Sequence, residues 1–111
     1  MTDQADRTKH YAIEKLYDAT LSLIGEGDIH ERLESAALTL VSRMLRANDF
    51  PTDLGKEYDA IHEALTSRVA EVEGEGSIHA TIRNLTPHEA AKISERIFSL
   101  YVNLLHGSAL E

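Results

Sequence analysis

Between Ile29 and Leu45 the apolar residues Ile29, Leu33, Ala36, Ala37, Leu40, Val41, Met44 and Leu45 follow one another at steps of three, four or one. That spacing lines one side of an α-helix, which repeats every 3.6 residues, and breaks the two-residue period of a strand. Ile13, Leu16, Tyr17, Thr20, Leu21 and Ile24 give an earlier stripe of the same kind. Leu54, Tyr58, Ile61, Leu65 and Val69 give a third, and Ile78, Ile82 and Leu85 a short fourth. Ala90, Ile93, Ile97, Leu100, Tyr101 and Leu104 give a fifth, which Phe98 and Leu105 widen. Strand-like alternation is absent, so the chain is restricted to an all-α fold.

Capping residues set the expected ends. The first helix is predicted from about residue 6 to Ile24, with Gly25 as the left-handed stop. Asp28 then caps the second helix, and Glu31 three residues on completes a capping box. Asp49-Phe50-Pro51 ends that helix, because the residue before proline is pushed out of the α region. The third starts near Thr52 or Asp53 and frays before Gly74; Gly55 in its first turn weakens it by about 1 kcal/mol. Ser77 is the expected cap of the fourth. Thr86-Pro87-His88-Glu89 starts the fifth with a box residue, a proline at N1 and the box partner, and Gly107 is its expected stop. The connections are short enough for antiparallel neighbours. The expected architecture is therefore one domain over residues 1–111, an antiparallel helical bundle of four main helices plus one short helix, with 1–5 and 107–111 disordered. Its widened last stripe is expected either at the centre of the bundle or against a second subunit.

Composition narrows function by exclusion. The chain has no cysteine, which removes thiolate metal sites, disulfides and cysteine nucleophiles. A net charge of −8 disfavours nucleic-acid binding, which needs clustered Lys and Arg. Residues 51–76 hold most of the excess, with Asp53, Glu57, Asp59, Glu63, Glu71, Glu73 and Glu75 against Lys56 and Arg68. Residues 77–111 balance, with Glu89, Glu95 and Glu111 against Arg83, Lys92 and Arg96. No run of about 18 apolar residues offers a membrane span, and the polar start offers no signal peptide. A cytoplasmic protein is expected.

Two groups of residues are candidates for chemistry. Gly25-Glu26-Gly27-Asp28-Ile29-His30 is echoed by Gly74-Glu75-Gly76-Ser77-Ile78-His79. Turn formation accounts for the glycines, the caps and the isoleucines, and implies two helix-Gly-Glu-Gly-helix hairpins related by a rough twofold. Glu26, His30, Glu75 and His79 are left over, and would offer two carboxylates and two imidazoles to one metal ion if the corners met. The six histidines match no established ligand spacing: none of His10, His30, His62, His79, His88 and His106 has a glutamate three positions before it. His62-Glu63 and His88-Glu89 lack the second histidine of the zincin helix.

The string Arg83-Asn84-Leu85-Thr86-Pro87-His88 resembles the Arg-polar-x-x-x-His motif of the HEPN ribonucleases, a family of all-α and often dimeric proteins. The resemblance implies that Arg83 and His88 would handle the scissile phosphate and the 2′-hydroxyl, with Asn84 assisting. A broader succession covers most of the chain: Ala12-Ile13-Glu14-Lys15-Leu16-Tyr17, Gly27-Asp28-Ile29, Arg32-Leu33, Asp49-Phe50-Pro51, Gly76-Ser77-Ile78-His79-Ala80-Thr81 and Ala90-Ala91. It resembles a group of small all-α bacterial proteins with no established activity, which implies a bacterial cytoplasmic origin and one compact helical unit, but no mechanism.

The sequence thus favours a non-enzymatic module that binds another protein or itself. A homodimer through the fifth or second helix is expected, with no cofactor, no membrane and no nucleic acid as partner. A HEPN-like ribonuclease using Arg83, Asn84 and His88, and a metal-binding protein using the two corners, are the alternatives.

Overall fold

The computed structural model describes residues 3–42, 46–69 and 76–110, and the side chains among them apart from those of residues 3–9, 42, 47 and 108–110. The described residues form an all-α fold: α1 (Asp3–Leu23), α2 (Ile29–Ser42), a 3₁₀ turn (Ala47–Asp49), α3 (Thr52–Leu65), α4 (Ser77–Arg83) and α5 (Pro87–Leu110). α5 packs against α1, α2 and α3, so the helix with the widest apolar stripe touches three of the others. α1 packs on α2, and α4 lies on α2 and α3.

The core is one cluster built from heptad-like seams. On α5 the seam is Ala90, Ile93, Ile97, Leu100 and Leu104, and on α2 it is Leu33, Ala36, Ala37 and Leu40. α3 contributes Tyr58, Ile61 and Leu65. Phe50 stacks on Tyr58 with ring centroids 5.1 Å apart, and the Tyr58 hydroxyl donates to the Leu40 carbonyl at 3.4 Å. Burial, with Asp59 and Asp49 nearby, pushes the Tyr58 phenol up to about 12. Arg96 of α5 makes a bidentate pair with Glu57 of α3 at 3.0 and 3.2 Å, tying those helices outside the core.

Several boundaries differ from the sequence expectation. α3 ends at Leu65, before Gly74 as expected but short of Val69, the last residue of its stripe. At Thr66 the backbone leaves the helical range (φ −126°, ψ 19°) and its amide bonds to the Glu63 carbonyl at 3.2 Å, a tightened final turn. Val69 consequently stands 84% exposed instead of in the core. α5 continues past Gly107 to Leu110, since Gly107 does not adopt a left-handed conformation. Gly25, the expected left-handed stop of α1, has no positive φ; Gly27 has one, φ 102°, immediately before the Asp28 cap of α2. Met44 and Leu45 of the second stripe, and Gly74 and Glu75 of the second Gly-Glu-Gly corner, lie outside the described residues.

The largest correction concerns α1. Its buried face is Ala12, Leu16, Ala19 and Leu23, spaced four, three and four. Tyr17, Leu21 and Ile24, expected in the core, are exposed. The two alanines let α1 pack closely, and the helix turns its bulkier apolar side chains outward.

Candidate functional site

That rotation gives α1 two parallel apolar seams. The inner one is in the core; the outer one, Tyr17, Leu21 and Ile24, has the same heptad-like spacing of four and three and leaves Ile24 72% exposed. α5 has a second seam as well, displaced by one residue from its buried one: Ser94, Phe98, Tyr101 and Leu105, at steps of four, three and four. Phe98 is 50% exposed, although the seam beside it is closed. A helix that serves one core needs one such seam.

The two outer seams lie side by side. α1 packs on α5, and the Tyr17 and Tyr101 rings meet with centroids 6.3 Å apart. Farther along, Thr20 and Leu23 of α1 and Ile24 just past its end face Ser94, Glu95, Phe98 and Ser99 of α5 across an open hollow of about 370 Å³. The Ser94 hydroxyl is bonded to the Ala90 carbonyl at 2.9 Å, while the buried Thr20 hydroxyl at the rim has no hydrogen-bond partner. Glu95 is the one charged residue lining the hollow, and Lys92 of its own helix stands 3.8 Å from it. The surface is thus apolar, small-residue-rich and locally neutral, in a chain of net charge −8.

The residues singled out for metal binding are placed differently. His30 donates from Nε2 to the Leu85 carbonyl at 2.8 Å, and His79 Nδ1 lies 2.9 Å from a Glu34 carboxylate oxygen. Each imidazole therefore joins α2 to the α4 region. Glu26 is exposed on the first corner, and Glu75 lies outside the described residues. Among the described residues no group of three or more His, Asp or Glu is placed to hold a metal ion. The chain matches no family model, no curated protein and no solved structure.

Arg83 ends α4, Asn84 is its C-cap and His88 sits in the first turn of α5; all three are exposed around one tight corner. The Asn84 amide donates to the Ala80 carbonyl at 2.7 Å, which occupies one of its two protons in ending α4. Thr86 and Glu89 complete the expected capping box, with the Glu89 amide 3.0 Å from Thr86 Oγ1 and the Thr86 amide 2.8 Å from Glu89 Oε1. Turn chemistry accounts for Thr86 and Glu89, as it does for Pro87 at the first helical position. No helix among the described residues is long and apolar enough to cross a membrane.

Phe98 and Leu105 were legible as an excess on the last helix. The α1 half of the surface was not. Its signal was the competing set Ala12, Leu16, Ala19 and Leu23, which fits a heptad as well as the bulkier set does.

Proposed function

We propose that this protein is a non-enzymatic interaction module whose working surface is the paired outer seam of α1 and α5. The observation that carries the reading is the presence of two adjacent seams with helical spacing, on helices whose core seams are already filled. Tyr17, Leu21, Ile24 and Phe98 in water forgo the stabilisation of burial, about 1.5–3 kcal/mol for a large apolar side chain. An exposed apolar patch of this kind marks a binding surface for another protein. The architecture that best accommodates the surface is an antiparallel bundle of α1, α2, α3 and α5, with α4 as the short helix closing the side opposite the open seam.

Site-resolved cross-linking in the producing cell tests this. A photo-crosslinking phenylalanine analogue at Phe98 is expected to give a discrete protein adduct, and the same group at Leu38, exposed on α2, is not. Absence of any adduct from position 98 would sink the proposal.

A further inference from the structure

We infer that the occupant of the α1–α5 surface is a second copy of this chain, docked about a twofold axis so that Phe98 of each copy enters the hollow of the other. The inference rests on the interaction-module reading and names its partner. Three observations select a second copy.

The first is shape. Phe98 projects half-exposed beside the hollow of about 370 Å³ that it helps to line. A cavity of about 150 Å³ is enough to accept a benzene ring. A projection and a recess on one face are what a twofold contact requires, because the same patch must complement itself. With α5 running antiparallel to its copy and Phe98 set against the partner's stretch 94–99, Glu95 falls opposite Ser99 of the other copy, away from a second Glu95.

The second is charge. Two molecules of net charge −8 repel at most approaches. The α1–α5 hollow carries one charged residue, offset by Lys92, and residues 77–111 balance overall. A basic partner would be drawn to the acidic stretch 51–76 instead. A neutral apolar surface calls for a neutral apolar counterpart, and the chain carries one.

The third is extent. A standard interface takes about 800 Å² from each partner. The molecule measures 47 × 25 × 21 Å, so its ends are too small and the contact must run along its length. α1 and α5, of 21 and 24 residues, are the longest elements, and the outer seams run from Tyr17 to Ile24 and from Ser94 to Leu105 along them. α2, the other helix expected to dimerise, has its stripe Leu33, Ala36, Ala37 and Leu40 sealed in the core.

Sedimentation equilibrium from micromolar to millimolar concentration decides the matter. The expected result is a concentration-dependent species of twice the 12.3 kDa chain mass. Phe98→Asp should weaken it by at least about 30-fold, with helical circular dichroism unchanged. Ile24→Asp, at a position 72% exposed, gives an independent reading from α1 should the Phe98 variant fail to fold; Leu38→Asp should leave association intact. A strict monomer at millimolar concentration overturns the inference, as does a dimer that both variants leave untouched. In either case a cross-link from position 98 to a different protein would keep the broader reading, whereas no cross-link at all would remove both.

Discussion

The two Gly-Glu-Gly corners carry nearly the same letters but start their helices by different physics. At the first, Asp28 accepts from the Glu31 amide at 2.9 Å and Glu31 reaches back to the Asp28 amide at 3.0 Å, a closed capping box. At the second, described from Gly76 onward, the N-cap is Gly76 itself and no side chain caps the helix. Aligning the repeat pairs Asp28 with Ser77, but the helices pair Asp28 with Gly76: the Arg32 amide bonds to the Asp28 carbonyl, and the Ala80 amide to the Gly76 carbonyl, each at 3.0 Å. The register slips by one because Ala80 stands where Glu31 stands in the first corner, so nothing reaches back to hold Ser77 outside the helix. What the two corners share is their role as ties. Arg32 of α2 donates to the last carbonyl of α1, Leu23, at 3.3 Å, and Thr81 of α4 accepts from the Arg68 amide beyond α3 at 2.9 Å. At each corner a polar side chain thus ties the new helix back to the end of the helix before it, α2 to α1 and α4 to the segment that follows α3.

The sharpest break of this comparison is at the glycines. Gly27 has φ 102°, and a Cβ there would lie 3.2 Å from both Cβ and Oε1 of Glu31, the side chain that closes the box. Gly27→Ala combines backbone strain with displacement of Glu31 and should cost about 2 kcal/mol. Gly76 has φ −79° and ψ 166°, with nothing within 4 Å of an added Cβ. Gly76→Ala should change stability by under about 0.5 kcal/mol, because reduced freedom of the unfolded chain offsets a weaker cap. Urea unfolding of the pair reads the contrast directly; equal costs would mean the corners are alike after all.

The caps give the next effect. Asp28→Ala removes the acceptor of the Glu31 amide and should cost about 1 kcal/mol. Ser77→Ala, at a residue already inside the helix and bonding no cap amide, should cost nothing measurable by thermal melting. A loss at Ser77 matching that at Asp28 would restore the register that the repeat suggests.

How much of this was legible in the sequence follows from which letters had competitors. α2 and the start of α5 were readable because a capping box and a single apolar stripe agree there, and tertiary contacts had nothing to override. The face of α1 was not, since two heptad-like sets differ by one step and only the partner decides between them. The alanines at 12 and 19 win because they bring α1 close to its neighbours, not because they are more apolar. The end of α3 is a backbone change at Thr66, whose amide turns to the Glu63 carbonyl, and neither a glycine nor a proline marks it in the sequence. The candidate surface was half legible: Phe98 exceeded what one core needs, but Ile24 and Leu21 resembled core residues until α1 turned. The histidines were singled out by recurrence, and the sequence alone could not place Glu34 or Leu85 opposite them.

Those histidines supply the finest distinction between the corners. His30 and His79 occupy the same place in the repeat, yet the one-residue slip makes His30 the second residue of α2 and His79 the third of α4. His30 points at the Leu85 carbonyl from a part-buried position, so His30→Ala leaves that carbonyl without its donor and should cost about 1 kcal/mol. His79 meets Glu34 with half its side chain in water, where the contact, ionic only when the imidazole is protonated, is screened and contributes at most about 0.2–1 kcal/mol. His79→Ala should therefore fall at or below the low end of that range, and raising the salt concentration should shrink it further. The His30 effect, resting on a neutral acceptor out of bulk water, should stay constant with salt. Urea unfolding of both variants at low and high salt separates the two: a salt-sensitive His30 loss would mean that its tie to Leu85 is not the bond that holds α4 against α2.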